Sequence, residues 1–372
     1  MPGIVTADEF RKAGLYDPDA VDAAERLALL EWLVENGATL ERMIESQAAG
    51  YLPFAAAFPL MRFGSGLTRE QLAERLGVEH DQLERFRVAF GLPPVADGSV
   101  WCNEREAEMF TAVARGVELF GEPSMLRLSR VLGGSVSRVA EAMASMNHER
   151  VIALAERSAS ELEIAKANHE AIRTADAPAA MLGALLGIHL AIAAERQRNR
   201  RTHFTQHTLQ GCIGFVDLVG STSVSRRLSA RELGEFVDRF EEVANAIATE
   251  RGGRVVKFIG DEVMFVTGDA AAACDIALSL IESFAGDPSI TPRAGLASGS
   301  LLDRAGDYYG PVVNLAARLA ELAVPREVLV SVPVADASRD RGYRLEPAGR
   351  RQLRGFEEPV PVMTVSRLPS GG

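Results

Sequence analysis

The chain has 372 residues, is 47% hydrophobic and 24% charged, and carries a formal net charge of −11. That length predicts two domains with apolar material for two cores, and the acidic balance argues against broad non-specific binding to nucleic acid or anionic membrane. Three widely spaced cysteines form no CxxC pair, so neither a disulfide framework nor a zinc site is supported; the opening MPGIVTADEF lacks a basic-then-apolar leader, and a reducing cytoplasm is the expected setting.

Residues 1–190 read as an all-helical domain. Ala24, Leu27, Leu30, Leu33 and Val34 recur at helical spacing until Asn36-Gly37 stops them. Thr39 caps a short helix that Gly50 ends. Residues 51–63 are apolar and aromatic with Pro53 and Pro59, and predict buried irregular or short-helical packing. Thr68 and Gln71 form one capping box, Asn103 and Glu106 another. Gly133-Gly134 is expected to separate a helix over 124–131 from one over 135–155. Residues 177–194 hold no acid, lysine or arginine, but fall short of the roughly 20 residues of a bilayer span. They predict a helix buried at a domain or subunit interface, and no transmembrane segment.

Residues 67–94 have the lengths of a helix-turn-helix. The second helix carries Arg85 and Arg87, but its N-terminal end is His80-Asp81, where a recognition helix needs outward donors. An αα-hairpin without nucleic-acid contact is the expectation. Residues 191–208 read as a basic linker helix, with His203 and His207 near its end and His189 just before it. Histidines titrating near neutrality at a linker suit a switch, although exposed, inert histidines are the commoner case.

From residue 209 the period changes. A strand ends at Asp217, a small-residue turn Gly220-Ser221-Thr222 follows, and Ser229 with Glu232 caps a helix whose Leu233, Phe236, Val237, Phe240, Val243, Ala244 and Ile247 share one face. Residues 254–266 read as strand, Gly260-Asp261 turn, strand. A helix over 270–284, a strand over 293–302, a helix over 313–322 and further strands over 328–332 and 343–365 complete the order. The order β-α-β-β-α-β with extra strands predicts an α+β fold: a split-βαβ, ferredoxin-like sheet at 209–368 with helices on one face, preceded by the all-α domain.

In that fold the first strand and the hairpin are neighbours, so Asp217 and Asp261 converge. Two carboxylates with a backbone carbonyl such as that of Leu218 suit Mg²⁺ or Mn²⁺ sharing phosphate oxygens. Gly220, Ser221 and Thr222 offer backbone N–H groups to a polyphosphate. Asn314 and Arg318, four apart on one helix, present an amide and a guanidinium where phosphate charge develops. Taken singly, each has an ordinary structural explanation: solvated turn acids, a snorkelling Lys257, an Arg318–Glu321 surface pair.

Phe215-Val-Asp-Leu-Val-Gly-Ser-Thr222, Lys257-Phe-Ile-Gly-Asp261 and Asp307…Asn314-Leu-Ala-Ala-Arg318 together resemble, in order and spacing, the signature of class III nucleotide cyclases. The half before them resembles, more loosely, the helical regulatory domain of actinobacterial soluble adenylate cyclases. The resemblance implies an adenylate cyclase that turns ATP into cyclic AMP and pyrophosphate. Asp217 and Asp261 would bind two Mg²⁺ or Mn²⁺ ions, Lys257 and Asp307 would read adenine, Asn314 would position the ribose, and Arg318 would stabilise the pentavalent α-phosphate. Arg354, in Leu353-Arg-Gly-Phe356, matches a position that contacts the triphosphate and is often lysine. Gly-Ser-Thr at 220–222 stands where many members have Gly-Phe-Thr, a departure that touches packing more than ligands. In this family each site lies between two catalytic domains, so a homodimer is implied, through the catalytic domain and through the helical one.

Two other readings compete. A diguanylate cyclase would place an acidic motif on a similar hairpin, but the turn here is Ile259-Gly-Asp-Glu-Val263 and the Asn314/Arg318 helix lies outside that pattern. A catalytically silent, nucleotide-binding regulator acting on DNA through residues 67–94 would not need intact metal acids.

Overall fold

A computed structural model describes residues 5–56, 66–96, 98–157, 159–173, 176–199, 208–219, 228–286 and 291–368. The chain divides into two compact units, Met1–Glu195 and Arg196–Gly372.

The first unit is helical. It contains α1 (Ala7–Lys12), α2 (Ala23–Glu35), α3 (Leu40–Ala48), α4 (Arg69–Leu76), α5 (His80–Ala89), α6 (Glu104–Phe120), α7 (Glu122–Glu156), α8 (Glu161–Arg173) and α9 (Asp176–Asn199). A two-stranded ribbon of β1 (Gly66–Leu67) and β2 (Cys102–Asn103) accompanies them. The expected capping boxes are formed at Thr68 and Asn103, and Thr39 accepts from the Arg42 amide. Two small cores result. One gathers Phe10, Leu29, Leu30, Leu33, Met43 and Leu52; the other gathers Leu72, Leu83, Phe86, Trp101 and Phe110.

One expectation fails in this unit. Gly133-Gly134 does not break a helix, because α7 runs unbroken for 35 residues. The reason is steric: a Cβ on Gly133 would lie 2.3 Å from the Phe90 carbonyl oxygen, so the glycine lets the end of α5 approach α7. Residues 177–194 are helical but not buried within the chain. Met181, Leu186, Ile188 and Leu190 on α9 are each more than half exposed, and apolar residues all around a helix leave it without a polar face for water. The stretch Glu161–Glu195 is, by length and composition, the one among the described residues long and apolar enough to cross a membrane.

The second unit is built on an eight-stranded sheet. Its elements are β3 (Thr208–Val219), α10 (Ala230–Glu250), β4 (Arg254–Ile259), β5 (Glu262–Thr267), α11 (Ala270–Ser283), β6 (Thr291–Arg304), β7 (Asp307–Tyr309), α12 (Pro311–Leu322), β8 (Val328–Ser331), α13 (Val332–Ser338), β9 (Tyr343–Arg351) and β10 (Val360–Arg367). The strand order is β4-β5-β3-β6-β8-β10-β9, with β7 paired to the far end of β6. The first four strands in that order are the split-βαβ arrangement, α10 and α11 being the two crossovers. Ser229 and Glu232 make the expected capping box on α10.

The helices do not lie on one face of the sheet. Val216, Val263, Phe265, Ala294 and Leu296 pack with Phe240 and Ala244 of α10 and with Cys274, Ile276 and Ala277 of α11. Ile213, Phe215, Met264, Val266 and Ala297, of opposite parity, pack with Ala316 and Ala320 of α12 and with Tyr308. The central strands are apolar on both faces, which is the pattern of a sheet covered on both sides. Gly295 lets α12 sit close, since a Cβ there would fall 2.1 Å from the Ala320 nitrogen.

Candidate active site

Strand parity sets which side chains meet. On β3, Asp217 follows Ile213 and Phe215 on the α12 face, and its cross-strand partners are Glu262 of β5 and Arg293 of β6. Arg293 donates from Nε and an Nη to Asp217 Oδ2, at 2.8 and 2.7 Å, and also donates to the Glu321 carbonyl at 2.7 Å. The tip of the β4–β5 hairpin is Gly260-Asp261, with Gly260 at φ +64°, the positive φ that a two-residue turn with glycine first requires. The Leu218 amide donates to the Asp261 carbonyl at 3.3 Å, so the end of β3 is tied to that tip. Asp217, Leu218 and Asp261 thus come together as their spacing implies.

Glu262 lies among these acids. Burial pushes its carboxyl up to about 7, the charges of Asp217, Glu321 and Asp261 push the same way, and Arg293 opposes them. Asp217, Asp261 and Glu262 thus gather at one end of the sheet, with Arg293 on Asp217 and Arg318 on Glu321. Hard oxygen donors of this kind fit a divalent cation. Among the described residues no group of three or more His, Cys, Asp or Glu is arranged to hold a metal ion. A cation here would complete its shell from phosphate oxygens and water, as Mg²⁺ commonly does.

A second pair forms on the same face. Lys257 Nζ donates to Asp307 Oδ2 at 2.5 Å, joining β4 to β7 across 50 residues of chain. The Asp307 Oδ1 accepts from the Tyr308 amide at 2.8 Å. The Lys257 side chain is 42% exposed and that of Asp307 26%, so the pair is open to a ligand. Asn314 and Arg318 both stand on α12, whose N-terminus begins at Gly310-Pro311; Arg318 pairs with Glu321 one turn on. Arg354 lies exposed between β9 and β10, beside buried Leu353. Gly220, Ser221 and Thr222, like His203 and His207, lie outside the described residues.

Sequence reasoning missed Arg293 and Glu262. Arg293 opens a strand beside Pro292, and nothing local marks it; its partner Asp217 is 76 residues away and is reached only through the β3–β6 register. Glu262 was legible as a strand residue next to Asp261, but its burial depends on the neighbouring strand. The helix-turn-helix reading weakens on the same kind of detail. Arg85 pairs with Glu122, while Arg87 donates to the Pro93 and Trp101 carbonyls and stacks on the Trp101 ring.

These features define a nucleotide cyclase type of catalytic unit behind a helical one. Residues 9–193 match the family described as adenylate cyclase regulatory domain, and residues 205–365 match that described as adenylate and guanylate cyclase catalytic domain. A pH-sensitive adenylate cyclase of Mycobacterium tuberculosis (strain CDC 1551 / Oshkosh) is 32% identical, over 96% of this chain and 93% of its own. An adenylate cyclase of Glutamicibacter nicotianae is 32% identical over 79% of this chain and 77% of its own. The solved structure of the adenylyl cyclase CyaB from P. aeruginosa is 24% identical, with a TM-score of 0.40, covering 44% of this chain and 97% of that one. The chain belongs to the adenylate cyclase family that joins this regulatory domain to the cyclase catalytic domain.

Proposed function

We propose that the chain converts ATP to 3′,5′-cyclic AMP and pyrophosphate in a site completed by a second copy, with the helical unit regulating how the catalytic units pair. The observation that carries the substrate assignment is the Lys257–Asp307 pair: a donor and an acceptor side by side, joined over 50 residues and open to solvent. Lys257 donates to an adenine ring nitrogen and Asp307 accepts from the exocyclic amine. Guanine exchanges the two groups, with an accepting O6 in place of the amine and a donating N1–H in place of the accepting ring nitrogen, which makes ATP the matched base.

Asn314 orients the ribose so that its 3′-oxygen faces the α-phosphate, and Arg318 meets the charge that grows on that phosphate. Arg318 pairs with Glu321 on the same helix. Gly220, Ser221, Thr222 and Arg354 are proposed to hold the triphosphate. The carboxylates of Asp217 and Asp261 and the carbonyl of Leu218 would hold two divalent ions, Mg²⁺ or Mn²⁺. Such ions would supply the positive charge that acidifies the 3′-hydroxyl and offsets the phosphate charge. The acids of one protomer then serve one site and its Lys257 the other, which gives two equivalent sites per dimer. The exposed apolar residues of α9 favour a second copy of the helical unit as their cover. The three cysteines are free and buried, which favours a reducing cytoplasm.

The experiment is direct: purified full-length chain with ATP and Mn²⁺, assayed for cyclic AMP over a range of pH and protein concentration. Product formation that rises faster than linearly with dilute protein is expected. No product at any condition contradicts the proposal.

A further inference from the structure

Arg254 begins β4, three residues before Lys257. In a regular strand, positions three apart face opposite sides of the sheet. Here they do not. Arg254 opposes Val266 and Lys257 opposes Met264, so the register shifts by one between Val255 and Lys257. Val266 and Met264 are two apart on β5 and both belong to the core beneath α12. The extra residue, a β-bulge at Val256, therefore turns both cations of β4 toward the same face.

Both reach the β6–β7 hairpin. That hairpin turns at Ala305 and Gly306, at φ +58° and +81°. Residues 302–306 are exposed, and a short two-stranded ribbon has little stability of its own. Arg254 grips it from β4. Its Nη donates to the Gly306 carbonyl at 3.4 Å and to the Tyr308 hydroxyl at 3.3 Å, and its guanidinium lies 5.6 Å from the centre of the Tyr308 ring. Tyr308 is buried, and its amide orients Asp307 through Oδ1 while Lys257 takes Oδ2. A chain of contacts thus runs from Arg254 through Tyr308 to the Asp307 carboxylate.

We infer that Arg254 is a positioning residue for base selection: it clamps the β6–β7 hairpin to β4 through Gly306 and Tyr308, fixes Asp307 relative to Lys257, and so sets the preference for adenine over guanine nucleotides. This rests on the base-reading role proposed above for Lys257 and Asp307. Arg254 itself does not touch the base. Loss of the clamp lets Asp307 drift, and a drifting acceptor discriminates an amine from a carbonyl poorly.

The test uses the full chain carrying Arg254→Ala, Arg254→Lys, Tyr308→Phe or Lys257→Ala. For each, ATP and GTP displace a fluorescent ATP analogue in the presence of Mn²⁺, and KM and kcat are measured where turnover allows. Arg254→Ala is expected to lower the ATP-to-GTP affinity ratio about tenfold, the combined size of a hydrogen bond and a cation–π contact. Its kcat at saturating ATP should stay within about threefold, because binding rather than the reacting phosphate is affected. Arg254→Lys should recover part of the ratio, since one cation over the ring replaces the fork. Tyr308→Phe removes a single hydroxyl from a buried ring and should lower the ratio about threefold with the fold intact. If Lys257→Ala shifts the ratio while Arg254→Ala and Tyr308→Phe leave it unchanged, the positioning role is overturned and the base-reading pair stands. An equal loss for both nucleotides, with no change in ratio, also overturns it, because that is what a purely structural residue gives. If Lys257→Ala leaves the ratio unchanged, the base-reading assignment falls and this inference with it.

Discussion

The two units expose unlike side chains to solvent. The face of the catalytic sheet that carries α12 presents charge: Lys257 with Asp307, Asp217 with Arg293, and Arg318 with Glu321. Beneath those charges the sheet is fully packed, with Met264, Ala297, Ala316 and Ala320 shielded from water. The helical unit instead exposes apolar side chains on α7 and α9, Met146, Leu186, Ile188 and Leu190 among them. A charged face over a closed core is suited to chemistry. Exposed apolar side chains along helices are suited to association. Substitutions on the first should therefore change turnover and spare assembly; substitutions on the second should weaken assembly, and lower turnover only in dilute protein, where the shared site comes apart.

Among the variants that keep measurable turnover, the largest effect is expected from Arg318→Ala, which should lower kcat about 10²–10³-fold by removing the donor proposed to meet developing charge. Thermal unfolding and oligomeric state should stay near those of the parent, since among the described residues Arg318 pairs only with its neighbour Glu321 one turn away on α12. A parallel loss of stability would mean the charged face is structural. Next in size are the close approaches. Gly295→Ala drives a methyl into the α12 backbone and should cost about 1–3 kcal/mol, read as a lowered denaturant midpoint. Gly133→Ala should cost a similar amount where α7 meets the end of α5. Its neighbour Gly134 meets nothing within 4 Å, so Gly134→Ala should instead stabilise the helix by about 0.5–1 kcal/mol. Opposite signs at adjacent positions separate packing from propensity within one helix.

On the apolar face, Leu186→Glu combined with Leu190→Glu should weaken self-association about tenfold or more, the worth of losing one or two buried leucines. Sedimentation at several concentrations reads this, and helix content should not change. An unaltered association would remove α9 from the interface. The smallest effect concerns the cysteines. Burial raises the thiol pKa of Cys212, Cys274 and Cys102, with Cys274 pushed up to about 11. At pH 8 the folded chain should react slowly with a thiol reagent, and denaturant should release three fast equivalents. Fast reaction of the native protein would mean that one of the cores is open.

What the sequence made legible followed from local chemistry. The capping residues Thr39, Thr68, Asn103 and Ser229 mark helix starts because side chain and amide are three residues apart. The Gly260-Asp261 turn was readable for the same reason. The acids Asp217 and Asp261 could be paired because the β-α-β-β order makes their strands neighbours. What stayed hidden depends on distant contacts. Arg293 is defined by the cross-strand register, and Gly133 by a helix that arrives from elsewhere in the unit. The side of the sheet that α12 covers was also hidden, since central strands apolar on both faces do not say which helix takes which. The bulge at Val256 is hidden too: Arg254 and Lys257 look like opposite-face residues until one extra residue is counted.

The central claim is that each active site is shared between two protomers. The most direct measurement mixes Asp217→Ala with Lys257→Ala, each inactive alone, under conditions where subunits exchange. In the heterodimer one site keeps both residues and the other loses both. At equal amounts about a quarter of the parental activity should return, from one working site in half of the dimers. No recovery, with both variants folded and exchanging, would contradict a shared site.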